Sequence, residues 1–189
     1  MPLPLIIGIT GASGAIYGIE LLKALKHAGV ETHLVVSKTA QITLAHETEY
    51  SLPQLHALAT HIHSANDLSA SIASGSFKTA GMIVAPCSMR TLAEIAQASS
   101  TTLLTRAADV TLKERRRLVL MVRETPLHSA HLRNMLAVSD MGGIIAPPVP
   151  AFYSKPSTLA DMVLHTTGRI LDLFDIPHAL VRRWDGVPT

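Results

Sequence analysis

Five times along this chain a short apolar run stops at small or turn-forming residues, and helix-like spacing follows. Leu3 to Thr10 runs into Gly11-Ala12-Ser13-Gly14. From Ala15 to His27 the residues Ile16, Ile19, Leu22 and Leu25 then recur at three-residue steps, the period of a helix face, and Gly29 ends that helix. Thr32–Ser37 reads as a second strand and Ala40–Glu47 as a short helix. Gly81–Ala85, closed by Pro86, is a third strand, with helices expected over Thr91–Gln97 and Leu103–Glu114. Leu118–Val122 and Gly143–Ala146 are the fourth and fifth strands. They are followed by helices over His128–Ser139 and Thr158–Phe174, the second beyond an extended Pro147-Pro148-Val149-Pro150 loop. Strands alternating with helices build a parallel sheet covered on both faces. Residues 49–78 carry no strong period and read as a variable segment with one helix and a flexible loop.

The 189 residues suit one domain, with no repeat and no linker dividing them. Charged residues are only 16% of the chain while 48% are hydrophobic, too little charge to coat a monomer well, so subunit interfaces are expected. A net charge of +2 without a polybasic tail, and seven dispersed aromatic residues, argue against nucleic-acid binding. One cysteine excludes an internal disulfide and a multi-cysteine zinc site and fits a reducing compartment. The N-terminus lacks the basic region of a signal peptide, and no apolar run reaches the ~18 residues of a membrane span. The chain therefore reads as soluble and cytoplasmic.

In a sheet of this kind ligands sit beyond the carboxyl ends of the strands. Gly11–Ala15 joins strand to helix there. Its glycines admit a ligand close to the backbone, the helix start offers free N–H groups, and the Ser13 hydroxyl can donate to a phosphate or a flavin edge, or simply cap the helix. A dinucleotide site needs an acidic residue after the second strand. Ser37-Lys38 stands there instead and favours a phosphate or a carbonyl. Pro86–Thr91 repeats the arrangement, with Ser88 and Thr91 at a second anion-friendly helix start. Two such starts side by side suit a mononucleotide phosphate. Cys87 reads as a small buried thiol. Arg115 to Arg117 read as a solvated face. Arg123-Glu124, directly after the fourth strand, offers a carboxylate beside a fixed guanidinium, a positioned acid or base. The ten histidines show no metal-ligand spacing, surface positions account for His56, His61 and His63, and no paired acidic motif for magnesium and diphosphate is present.

These stretches resemble the flavin prenyltransferases, the UbiX-like enzymes, over essentially the whole chain. The matching residues are Thr10–Ala15, Ser37-Lys38, Glu47-Thr48, Ser74–Ser76, Pro86–Ser88, Arg106–Val110, Leu112–Arg116, Arg123–Pro126 and Pro147–Tyr153. The resemblance implies a flavodoxin-like, Rossmann-type, three-layer doubly wound subunit in a dodecamer with active sites at subunit junctions. It implies that reduced FMN is alkylated by dimethylallyl monophosphate at N5 and closed at C6 without a metal. The prenylated FMN would then serve a separate decarboxylase of the UbiD type.

By this resemblance Gly11, Ala12, Ser13, Ser37, Ser88, Met89, Arg90, Thr91 and Arg123 hold FMN. Lys113, Tyr153 and Arg169, with Arg106 nearby, hold the prenyl phosphate. Glu124 protonates the departing phosphate, Glu47 and Ser13 assist deprotonation and closure, and Trp184 walls the prenyl site. Cations at a leaving phosphate agree with the missing acidic pair. Two alternatives stand beside this reading: a flavin-dependent cysteine decarboxylase and a non-enzymatic flavin carrier. The first carries a Pro-x-Met-Asn segment, which Leu132-Arg133-Asn134-Met135 does not match. The second has no need of Lys113, Tyr153 and Arg169. Arg117 stands where the family often has proline, and a local effect is expected.

Overall fold

The computed structural model describes residues 3–181 and 183. Six strands form one sheet: β1 (Leu5–Ile9), β2 (Thr32–Val36), β3 (His61–His63), β4 (Gly81–Cys87), β5 (Arg117–Val122) and β6 (Ile144–Ile145). All pairings are parallel, in the order β3-β2-β1-β4-β5-β6. The helices are α1 (Ala15–His27), α2 (Lys38–Glu47), α3 (Leu52–His56), α4 (Met89–Ala96), α5 (Leu103–Lys113), α6 (Ser129–Asp140) and α7 (Leu159–Asp172). The fold is the doubly wound, flavodoxin-like architecture expected from the alternation of elements.

Both faces of the sheet are buried, which is why β1, β2 and β4 read as near-continuous apolar runs. On one face Ile19, Leu22 and Leu25 of α1 and Ile170 and Leu171 of α7 pack over Ile7, Ile9, Leu34 and Ile83. On the other, Leu92 and Ile95 of α4, Leu104 and Ala108 of α5 and Val138 of α6 cover Ile6, Val35, Met82 and Leu120. The strand order reverses between β1 and β4, so the carboxyl ends of these two strands diverge to helices on opposite faces. That is where a doubly wound sheet opens its ligand crevice.

Several boundaries differ from the sequence reading, each for a local reason. β4 continues through Pro86 to Cys87, and its register with β5 slips between Val84 and Cys87, where proline has no N–H to give the ladder. α2 and α4 begin earlier than expected because Ser37 and Ser88 act as N-caps, accepting hydrogen bonds from the Ala40 and Thr91 N–H groups. Arg117, exposed at the end of the basic run, stands at the start of β5, as its place in the sequence suggested. Its guanidinium donates to the Leu173 carbonyl and lies 5.6 Å from the Phe174 ring centroid.

The short edge strand β3 lies in the segment that carries no strong period. His-Ile-His is too short and too polar to stand out, and both His61 and Ile62 are exposed. Its pairing accounts for His33 on β2, a buried imidazole 2.8 Å from the His63 ring nitrogen. Burial first, and then the neighbouring imidazoles, push the His33 pKa down to about 4, so the ring is neutral at pH 7.

The seat of α1 on the sheet is set by Gly18. A Cβ there would lie 2.6 Å from the Ala85 carbonyl oxygen and 2.7 Å from Ile9 Cδ1. Gly18→Ala is therefore expected to destabilise the fold by ~1–3 kcal/mol through overpacking. The check is a lowered midpoint in thermal or urea unfolding; an unchanged midpoint would mean that α1 can shift away from β4 at no cost.

Candidate active site

The site is built on one buried hydroxyl. Thr10, at the end of β1, donates through Oγ1 to the Pro86 carbonyl (2.8 Å) and accepts from the Ser88 N–H (2.8 Å). These two bonds lock the turn after β1 against the turn after β4 and set the amino ends of α1 and α4 beside one another. The positive dipole ends of both helices thus face a common rim.

A cleft of about 710 Å³ opens at this rim. It lies within the ~300–1,000 Å³ range of small-molecule sites. Ser37, Ser88, Arg90 and Thr91, four of the residues expected to hold FMN, line it, together with Thr10 and Lys38. Met89 is the partly buried first residue of α4. The Arg90 side chain is 81% exposed and pairs with Glu94 at 2.9 Å. Cys87 is buried beneath α4, and burial pushes its thiol up, so it stays un-ionised at neutral pH. The small buried thiol is what the sequence implied.

The Gly11–Gly14 turn is crowded from behind. A Cβ at Gly11 would meet Thr39 Oγ1 at 2.5 Å, and Gly14 has a φ of 106°. Ser13 does not cap α1, whose N-cap is Gly14 with no side-chain hydrogen bond of its own. The cap comes from Glu47 at the end of α2, whose Oε2 accepts from the Gly14 N–H (2.8 Å) and the Ala15 N–H (3.3 Å). Partial burial alone would raise the Glu47 pKa. Hydrogen bonds from Ser13, Gly14 and Ala15, with the Arg123 charge, outweigh it and hold the carboxyl below its ordinary value of 4.5. No local spacing signals this role for Glu47, because it bonds to residues more than thirty positions earlier in the chain.

Arg123 follows β5 directly, its N–H donating to the Cys87 carbonyl at 3.2 Å. Glu124 is exposed beside it, and its Oε1 accepts from the Thr125 N–H at 3.1 Å. Gly11, Ala12, Ser13, Glu47, Arg123 and Glu124 therefore gather at the carboxyl ends of β1, β4 and β5, next to the cleft.

The comparisons with known proteins agree with this geometry. A family model described as Flavoprotein matches residues 2–183. A flavin prenyltransferase UbiX of Salmonella typhimurium is 57% identical over 185 residues, 96% of this chain and 98% of that protein. The chain belongs to the flavin prenyltransferase family. Among solved structures, AnUbiX (PadA1) in complex with FMN and dimethylallyl pyrophosphate superposes with a TM-score of 0.98 at 49% identity, covering 100% of both chains. A dodecameric FMN-dependent UbiX-like decarboxylase from Escherichia coli O157:H7 superposes with a TM-score of 0.95 at 52% identity, covering 97% of this chain and 100% of that one.

The phosphate ligands expected of a flavin prenyltransferase are not gathered within the single chain. Lys113 ends α5 at the amino side of β5, ion-paired with Glu114 beside Gly75. Arg169 pairs with Asp172 at 2.6 Å in the last turn of α7, next to Leu173, whose carbonyl accepts from Arg117 at the start of β5. Both cations thus lie at the end of the sheet opposite the rim. Arg106, on the second turn of α5, donates to the Ala73 carbonyl and pairs with Asp109 at 2.8 Å. Tyr153 sits in a 3-10 turn, Phe152–Ser154, with its hydroxyl 3.3 Å from the His165 ring nitrogen on α7. Trp184 lies outside the described residues.

Glu47→Gln removes the charge that caps α1. A cap on this solvent-exposed carboxylate is worth ~0.5–1 kcal/mol, and the variant is expected to lose about that much stability at pH 7. A carboxyl whose folded pKa is depressed stabilises the fold above its unfolded value, and that contribution disappears as pH falls through the folded value. The gap between the parent and Glu47→Gln should therefore be constant above about pH 5 and close in more acid solution. Urea midpoints measured across pH check this, and a gap that widens in acid would contradict it.

Proposed function

We propose that this chain transfers a dimethylallyl group from dimethylallyl monophosphate to N5 and C6 of reduced FMN, yielding prenylated FMN for a separate decarboxylase. The observation that carries the reading is the convergence, at one rim, of two helix amino ends, the Ser13–Glu47 pair and Arg123-Glu124. The FMN and dimethylallyl pyrophosphate in the AnUbiX complex support the ligand classes. The residues present fit a flavin mononucleotide: Gly11 leaves no room for a Cβ, and the cleft beside the turn is lined by hydroxyl and N–H donors.

Gly11, Ala12, Ser13, Ser37, Ser88, Met89, Arg90, Thr91 and Arg123 would hold FMN. Reduced FMN would supply the nucleophilic N5, which displaces the phosphate, and C6, which would close onto the prenyl double bond once that bond takes up a proton, with loss of the C6 proton. As the C–O bond breaks, negative charge grows on the departing phosphate, and preorganised cations stabilise it. Lys113, Arg169 and Arg106, with the Tyr153 hydroxyl, are assigned that work, and Glu124 gives the phosphate its proton. Glu47, held as a carboxylate and hydrogen-bonded by Ser13, is the base suited to take a proton beside N5. These cations and hydroxyls supply the stabilisation without a metal.

Lys113 and Arg169 can serve the rim only if a neighbouring subunit presents them there. We therefore assign the chain to a closed homo-oligomer, a dodecamer like that of the Escherichia coli relative. Val149, Phe152 and Leu159, each more than two-thirds exposed, supply apolar surface for such contacts. The cytoplasm is the proposed location, since the lone free thiol, Cys87, needs no oxidising compartment.

The test is anaerobic incubation with reduced FMN and dimethylallyl monophosphate, in parallel with the diphosphate, followed by mass spectrometry of the flavin. The expected result is flavin carrying one added five-carbon unit. Flavin recovered unmodified with both donors overturns the reading. Glu124→Gln should lower turnover by ~10²–10⁴-fold, the range of a lost general acid, while FMN affinity changes little. Equal losses in turnover and FMN affinity would make Glu124 a structural residue.

A further inference from the structure

The pairing of β2 with β3 brings four side chains onto one face of the sheet edge, and the last of them, His63, reaches the wall of the cleft. Successive strand residues alternate faces, so Glu31 and His33 share a face, as do His61 and His63. Glu31 is already in the ladder, its carbonyl accepting from the Leu5 N–H at 2.9 Å, and His33 is the register partner of His61. The His33 ring stacks on His63 with centroids 5.1 Å apart and lies tilted against His61 at 4.5 Å, while Phe77 meets His33 edge-on.

The ligand atoms point at one another. Glu31 Oε1 is 2.8 Å from His61 Nε2 and 3.6 Å from His33 Nε2, and all three lie within 4.8 Å of one another. Around a tetrahedral zinc ion with bonds of ~2.0–2.1 Å, neighbouring ligand atoms stand ~3.3 Å apart. The two separations to Glu31, 2.8 and 3.6 Å, bracket that value.

A second observation is independent of those distances. His33 is 4% exposed, and its Nε2 makes no hydrogen bond among the described residues. The 3.6 Å approach to Glu31 is too long for one. Its Nδ1 is engaged with His63 Nε2 at 2.8 Å. With the proton on Nδ1 and donated to His63, the Nε2 lone pair is bare and aimed at Glu31 and His61. In the other tautomer an N–H faces the Glu31 carboxylate at a separation too long for a hydrogen bond, so neither tautomer satisfies Nε2 among the described residues. A ring N–H anchored by a neighbour while the opposite nitrogen stays free is how metal-binding histidines are oriented.

We propose that Glu31, His33 and His61 form a three-ligand site for a zinc-class divalent cation, with water as the fourth ligand, that fastens the edge strand β3 to β2. Glu31, His33 and His61 lie toward the amino ends of β2 and β3 and do not line the cleft, whereas His63, which holds the His33 ring, lies on the cleft wall; the cation's part is structural. His63 orients the His33 ring and is not itself a ligand.

Zinc is titrated by calorimetry into the tag-free, metal-depleted protein, and cobalt is added separately as a spectroscopic probe. One zinc per chain is expected, with a raised thermal midpoint, and the visible bands of four-coordinate cobalt. His61 and Glu31 are about half exposed, so their replacement leaves the sheet intact. His61→Ala and Glu31→Gln should each weaken zinc at least ~10-fold. His128→Ala, which breaks a stacked pair with His131 elsewhere on the surface, should leave binding unchanged. Absence of stoichiometric binding, retention of parent affinity in His61→Ala, or equal loss in His128→Ala would each overturn the proposal.

Discussion

The two hydrogen bonds of the buried Thr10 hydroxyl hold the working end of this molecule together. A parallel sheet fixes strands laterally, but its ladder ends where the strands end. Beyond that point the chain after β1 turns to one face and the chain after β4 to the other. Without a cross-tie, the two helix starts would be free to drift apart. By bonding the Pro86 carbonyl and the Ser88 N–H at once, Thr10 extends the β1–β4 pairing past the last ladder bond. The tie is 2% exposed, so water does not compete for it. Everything at the rim inherits its position from this link.

A second constraint orders the rim from the side. The α1 helix begins at a glycine with positive φ and has no capping side chain of its own, so its first N–H groups need an acceptor from elsewhere. Glu47 supplies it from the far end of α2. The same carboxylate that completes the helix therefore stands beside Ser13 and feels Arg123. The helix N–H groups favour the ionised form of that carboxyl and fix its orientation.

Much of this was legible in the sequence because the apolar period is strong wherever an element is buried on both sides. Residues such as Ile6, Ile7, Val84 and Leu120 left no other reading than internal strands. The rim motifs were legible for a related reason: glycine, serine and proline clusters after strands are rare unless the backbone must turn there. What escaped was set by long-range pairing. β3 was missed because an edge strand of His-Ile-His needs no apolar run. Glu47 as the cap of α1 was missed because no rule of spacing connects it to Gly14. The histidine cluster shows no ligand spacing for the same reason, since thirty residues separate Glu31 from His61 and only the β2–β3 register brings them together.

The scattered cations make a last point about the subunit. Lys113 and Arg169 lie at the end of the sheet opposite the rim, and each is neutralised by an adjacent carboxylate, Glu114 or Asp172. Exposed pairs of this kind contribute little to stability, because solvent screens them and both side chains lose freedom. In the proposed oligomer they would be desolvated. If a neighbouring subunit covers them, water is excluded, their electrostatic reach lengthens, and a phosphate entering the junction competes with the carboxylates for the same guanidinium and ammonium groups. In that proposed junction the carboxylates would act as placeholders that keep the cations extended, which would favour an anion arriving at a junction over one binding the isolated chain.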